Sequence, residues 1–299
     1  MAQDIQSKPR RIVTLEAGGG NDNVARLLAL GLTNEGGGRV IVENRGGASG
    51  VVAAETVIKA APDGLTLLSI SGSLWTLPLM QPVPYDPVQD LMPVTLAVSS
   101  PNILVVNPAL PVKTVRQLIA LAKARPGALN YSTAGAGSSG HLSAELFRVM
   151  AGVDLVRVAY KGGAASMTDL ISGQVQMSFT STGSAGGHVQ SGRLRALAVT
   201  SAKPSALLPG VPPVATEGLP GYELVSTYGV FAPARTPAAV IERINQGLVR
   251  ALRTPEIKER FFKAGVEVVA SSPQEFAVVI RSDTQKLGKL IRDAKIRSD

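Results

Sequence analysis

The sequence predicts two α/β lobes, each built on a mixed, mostly parallel sheet with helices on its faces. Three observations carry that expectation. Short apolar runs alternate with amphipathic stretches along most of the 299 residues, the pattern of strand and helix units winding a parallel sheet. The alternation pauses after the apolar runs 94–98 and 103–106 and restarts near residue 107. A proline- and glycine-rich stretch, 204–221, then precedes one more strand pattern and three helices that can only pack on structure already built. The first lobe is therefore expected to be discontinuous, residues 1–104 plus 226–299, with residues 105–225 forming the second.

Composition narrows the chemistry. With 45% hydrophobic and 17% charged residues the chain can bury a large core. Its formal charge of +8 is scattered, and aromatics are only 4%, so neither a basic stripe nor an aromatic-interleaved patch for nucleic acid is present. The absence of cysteine excludes disulfides, thiolate metal sites and a cysteine nucleophile. Two histidines, His141 and His188, do not make a histidine-rich metal site. The H-E-x-x-H, G-x-S-x-G and Walker patterns do not occur. No run reaches the ~18 apolar residues of a membrane span, and residues 1–5 lack the basic and apolar regions of an export signal.

Taken in order, residues 11–15 form a strand, Glu16, Ala17, Gly18, Gly19, Gly20 and Asn21 a loop, and Asp22 onward a helix through Val24, Leu27 and Leu28. Asp22 reads as a first-turn carboxylate stabilising its own helix N-terminus. Residues 40–43 are the next strand, and a Gly46 to Gly50 loop opens a helix that Pro62 and Gly64 stop. A third strand, 65–70, runs into a polar loop at Ser71 to Trp75. Runs 94–98 and 103–106 read as two strands separated by Ser99-Ser-Pro-Asn102. Thr114 with Gln117 marks a capped helix start.

The stretch 131–146 stands out: a short strand, a loop of glycines and hydroxyls, then an amphipathic helix. Glycines let such a loop bend, and free N–H groups at the positive end of a helix suit an anion. Ser132, Thr133, Ser138 and Ser139 add hydroxyls, and His141 lies on the first helical turn. A strand at 155–160 leads to the loop Lys161 to Ala165, one at 175–179 to the loop Thr180 to Ser184, and 195–200 is a further strand. After a strand at 225–231, helix starts follow at Thr236-Pro237, Thr254-Pro255 and Ser272-Pro273, the last with Glu275 as capping partner.

In an open parallel sheet, ligands bind beyond the carboxyl ends of strands. Five loops take that position: 16–21, 71–75, 132–139, 161–165 and 180–184, all small and polar. Such loops offer N–H and O–H donors with few fixed charges, which favours binding an anion over transforming it. A rival reading uses Gly135, Gly137 and Gly140, which match G-x-G-x-x-G, to hold a nucleotide pyrophosphate in an NAD(P)-dependent oxidoreductase. That reading requires an acidic residue at the end of the next strand, about 20 residues on. Tyr160 and Lys161 stand there instead, and no acid–base set converges elsewhere.

Residues 12–26, Val42-Glu-Asn-Arg45, Ala60-Ala-Pro-Asp-Gly64, Pro84-Tyr-Asp-Pro87, residues 131–142, Tyr160-Lys-Gly162, Thr168-Asp-Leu170 and residues 194–200 together resemble the Bug (TctC) family. These are extracytoplasmic solute receptors of tripartite tricarboxylate transporters, and the likeness covers nearly the whole chain in order. It implies a type II-like periplasmic binding protein, a monomer, that closes two lobes on a small carboxylate and hands it to an integral-membrane permease. It implies no enzyme activity, cofactor or metal, and periplasmic location with the export signal outside this sequence.

By position, the resemblance assigns the ligand to Ala17, Gly18, Gly19, Gly20 and Asn21 in the first lobe. In the second it assigns Ser132, Thr133, Gly137, Ser138 and Ser139, with Gly162, Gly163 and Ala164 at the following helix start. Ser71 lies in a neighbouring loop. The chain departs from the family where Thr14 and Glu16 replace prolines, Asn21 replaces threonine, and Thr180 follows Phe179 where many members carry aspartate. Thr180 brings no charge to pair with a ligand ammonium, so a C4 to C6 dicarboxylate or an aromatic acid is expected in preference to an amino acid. Glu16 either supplies that missing charge or is an exposed loop-edge carboxylate. Trp75 either walls the ligand or packs internally, and His141 either faces the ligand or bonds the loop.

Overall fold

The computed structural model describes residues 9–36, 38–133, 137–160, 163–294 and 296. The chain divides into two units, Met1–Ser99 with Thr227–Gly288, and Ser100–Ser226 with Lys289–Asp299.

The first unit opens with β1 (Arg10–Thr14), α1 (Gly20–Asn34), β2 (Val40–Asn44), α2 (Val51–Ile58), β3 (Thr66–Ser71) and the single turn α3 (Ser73–Thr76). Strand β1 pairs in parallel with β2 on one side and β3 on the other, as two strand–helix–strand crossovers require. The strand β9 (Val225–Pro233) then runs antiparallel to β3, setting Tyr228 opposite Ser71. Next in order comes β4 (Leu91–Val106), to which the short β10 (Glu267–Val268) adds an antiparallel edge. The sheet is buried on both faces. One core joins Ile12, Leu67, Val94 and Val230 to α1 and to the helices α8 (Ala238–Arg253) and α9 (Pro255–Lys263). In α8 the buried Ile241, Ile244, Leu248 and Leu252 recur at the three- and four-residue spacing of a single helix face. The other core joins Val13, Leu68, Ile70 and Phe231 to α2, Trp75 and Phe276 of the last helix, α10 (Pro273–Asp293).

The second unit is ordered β4, β7 (Met177–Ser181), β5 (Asn130–Thr133), β6 (Val156–Ala159), with β8 (Arg195–Val199) also pairing β4. Parallel pairing joins β5 to β6 and β7, and antiparallel pairing joins β4 to β7 and β8. The helices are α4 (Val115–Ala124), α5 (Ser139–Ala151), α6 (Gly163–Ser172) and α7 (Thr182–Gln190). Both units are thus the mixed α/β sheets expected.

Where the sequence suggests two strands at 94–98 and 103–106, the structure has one, β4. The Ser99-Ser-Pro-Asn102 segment stays extended, which proline's fixed φ permits. Val98 and Ser99 find partners in β10, and from Asn102 onward the partners are in β7. Helices begin at all the predicted starts, but only those at Thr114 and Ser272 carry side-chain caps; α8 and α9 begin without a side-chain cap bond. Gln117 N donates to Thr114 Oγ1 (3.2 Å), while the Gln117 side chain accepts from Lys113 N, one residue earlier than in a standard capping box. Ser272 and Glu275 cap reciprocally at 2.8 and 3.2 Å.

Candidate ligand site

In the first unit the loop between β1 and α1 is fixed from beneath by one buried carboxylate. Asp22, 2% exposed, accepts from Gly18 N (2.8 Å), Asn44 Nδ2 (2.8 Å) and Arg26 Nε (3.0 Å). Burial alone raises its pKa, but the bonds from Arg26, Asn44 and Gly18 outweigh that and hold the carboxyl below its ordinary value. Asn44 also donates to Leu15 O (2.8 Å), so the loop is tied to β2 at both its entry and its exit. Asn21, just inside α1, accepts from Ser71 N (2.7 Å) through its side-chain oxygen, locking α1 to the end of β3. Ser71 and Ser73 share a hydroxyl bond at 3.0 Å.

What this scaffold presents is the open end of a helix. Residues 16–20 are exposed, and Gly19, the N-cap of α1, supplies no side-chain bond. The first N–H groups of the helix therefore face outward with no side chain capping them, the arrangement that attracts an anion. Glu16 does not extend toward that end. Its carboxylate accepts from Gly47 N (3.0 Å), and the side chain lies so close to Gly46 that a Cβ there would come within 2.7 Å of Glu16 Cγ and 2.9 Å of its Oε1. This is the loop-edge placement of the two that the sequence allows.

Trp75 is a correction. Its ring is 1% exposed and packs against Phe231 (6.3 Å between centroids) and edge-on against Phe276 (5.9 Å). The indole is a core side chain of the first unit and offers no face for a ligand ring to stack on. Its N–H, also buried, has no partner among the described residues.

In the second unit the anchor loop emerges from β5 into α5. Two of its predicted donors are supports instead. Ser132, 1% exposed, accepts from Ser166 Oγ (2.8 Å), and Thr133, 2% exposed, accepts from Arg157 Nε (3.1 Å). Ser138 is the N-cap of α5, accepting from His141 N at 3.2 Å. The His141 ring, 3% exposed, accepts the Gly137 N–H on Nδ1 (3.0 Å), so of the two placements the sequence allows it bonds the loop. Ser139 is half-buried and directs its hydroxyl to Asn102 Oδ1 at 3.5 Å.

Asn102 belongs to a buried polar chain. It donates to Ser143 Oγ (3.2 Å) and to Thr200 Oγ1 through its backbone N–H (2.8 Å), and Tyr222 Oη donates to Ser143 O (2.8 Å). Gly140 explains itself by packing: a Cβ there would lie 2.3 Å from Phe179 O, so only glycine lets α5 lie against β7. Gly163 and Ala164 are exposed on the first turn of α6, and Thr180 is half-buried in β7 opposite Ile103. Gly135, Lys161 and Gly162 lie outside the described residues.

Sequence comparison decides the family. Residues 24–296 match the profile of the tripartite tricarboxylate transporter family receptor, TctC. The chain belongs to that family. Protein BugT of Bordetella pertussis is 34% identical to this receptor over 285 residues, 94% of the chain and 87% of the relative. An R. palustris protein solved with adipate superimposes with a TM-score of 0.82 at 32% identity, covering 97% of this chain and 99% of its own. MatC from Rhodopseudomonas palustris, with bound malate, gives 0.77 at 26% identity, over 95% and 99%.

Membership sets aside the oxidoreductase reading, since the TctC family is one of solute receptors and not of enzymes. The receptor's own geometry agrees. At the end of β6, where a dinucleotide fold needs an acid, Tyr160 donates to Asp169 at 2.7 Å and supplies no ribose ligand. No group of three or more His, Cys, Asp or Glu able to hold a metal occurs among the described residues, and no described helix is long and apolar enough to cross a membrane. Sequence reasoning passed over two structural partners of the loops, Asn44 and Asn102. Asn44 follows a strand within a family-like motif, which is a usable signal. Asn102 ends the segment read as a break between two strands and carries none.

Proposed function

We propose that this receptor is a periplasmic protein that captures a C4 to C6 dicarboxylate and delivers it to the membrane permease of a tripartite transporter. The observation that carries this is the uncapped, exposed N-terminus of α1, held rigid by Asp22, Asn44 and Asn21. A ligand carboxylate is assigned to the amides there, and within the second unit the half-buried Ser139 hydroxyl is assigned as a ligand donor. Neutral donors suit a group that carries a single charge.

An amino acid would bring an ammonium group needing a partner. The candidate partners do not offer one: Asp22 is buried and its charge is already paired with Arg26, Glu16 is turned to Gly46 and Gly47, and Thr180 is uncharged. Burial of Trp75 removes the support for an aromatic acid, leaving the dicarboxylate. Adipate and malate in the related structures support the same class.

A thermal-shift panel of dicarboxylates, aromatic acids and amino acids tests the assignment. A ligand at a hundred times its dissociation constant stabilises the folded protein by roughly 2.7 kcal/mol. Stabilisation by succinate, malate, glutarate or adipate is expected. Stabilisation by aspartate or glutamate alone would refute the ligand class.

A further inference from the structure

We propose that Tyr228 is a ligand residue, whose hydroxyl donates to the carboxylate held at the N-terminus of α1. The inference rests on the function just proposed and adds a side chain to what is otherwise a backbone site.

Tyr228 comes from the far part of the chain, yet the β3–β9 register sets it opposite Ser71, and Ser71 N is bonded to Asn21 in the first turn of α1. The phenol thereby arrives at Gly20. Its Oη lies 2.9 Å from where a Cβ of Gly20 would stand. In a helix the Cα–Cβ bond tilts toward the N-terminus. An atom occupying that position therefore flanks the opening where the first amides emerge, on the side an anion would approach. Gly20 itself is exposed, so this opening is not covered.

Two further facts fit a donor. The ring is half-buried, but its hydroxyl has no hydrogen-bond partner among the described residues. A partly buried phenol ordinarily finds one. Burial also raises its pKa, so the group keeps its proton and remains able to donate. The glycine at position 20 is then explained by the phenol and not by its backbone conformation.

The test measures binding of succinate, malate, glutarate and adipate to the wild-type protein and to Tyr228→Phe by calorimetry, with the ligand-free melting temperature of each. Loss of a bond to a charged group is worth about 10- to 150-fold in affinity. A fivefold or greater loss with an unchanged ligand-free melting temperature supports the proposal. If the wild type binds and Tyr228→Phe binds within fivefold, the proposal is overturned while the receptor function stands. If the wild type binds none of the four, the proposed function fails and this inference with it. Gly20→Ala provides the geometric control: it should lower the melting temperature alone and recover it when combined with Tyr228→Phe, because the remaining ring carbons stand 3.7 Å away or more. Failure of that rescue overturns the placement of the hydroxyl.

Discussion

Replacing Asp22 by asparagine should loosen the first loop without touching any ligand. The carboxylate accepts three bonds, from Gly18 N, Asn44 Nδ2 and Arg26 Nε, at 2.8, 2.8 and 3.0 Å. An amide has one oxygen, and its NH2 must then face at least one of those donors. Arg26 is 55% exposed and can turn to water, so the uncompensated loss is that of about one bond to a charged group, roughly 1.5–3 kcal/mol. For a unit of about 160 residues this corresponds to a fall of roughly 3–12 °C in melting temperature at pH 7.

The pH profile carries the sign. The folded pKa of Asp22 is depressed, so its stabilisation is fully present above the unfolded value of 3.8 and is lost as pH falls through the lower, folded value. The gap between wild type and Asp22→Asn should therefore be constant from pH 7 to 5 and close in more acid solution. Calorimetric melts of both proteins from pH 7 to pH 2 make the check. Equal melting temperatures at pH 7, or a gap that widens in acid, would refute the argument.

Two other substitutions separate support from recognition. Ser138→Ala removes the N-cap of α5 and should cost about 1 kcal/mol of stability, read by denaturant unfolding, whereas Ser139→Ala should leave stability near wild type and weaken dicarboxylate binding, read by calorimetry. Gly140→Ala pushes a Cβ to 2.3 Å from a backbone carbonyl that cannot swing aside, so a loss of at least about 2 kcal/mol is expected in the same unfolding assay.

The strand–loop–helix units were legible because apolar period and glycine position are local signals, and Asp22 was correctly placed in a first turn that it stabilises. What the sequence does not show is which partner a loop residue takes. Glu16 and Trp75 each admitted two placements, and choosing required knowing that Gly46 and Gly47 lie beside one and Phe231 and Phe276 beside the other. Ser132 and Thr133 look like free donors in a hydroxyl-rich run, yet Ser166 and Arg157, 34 and 24 residues away, engage them. Tyr228 went unread for the same reason: only the register of β9 on β3 brings it to Gly20. The break expected at residues 99–102 failed because a proline is compatible with extended backbone when its neighbours find strand partners on either side of it.

The single tryptophan makes the protein its own optical label. Trp75 is the chain's one indole, it is buried in the first unit, and the second unit contains none. Its emission should be that of an apolar environment and should report the first unit alone, while far-ultraviolet dichroism averages over both. Coincident denaturation curves from the two signals would mean that the units melt as one cooperative body, and separated curves that each keeps its own transition. Because the edge of the indole sits against Gly72, 3.1 Å from where a Cβ would be, a ligand that shifts the neighbouring loop has a direct route to the fluorescence, with no dye attached.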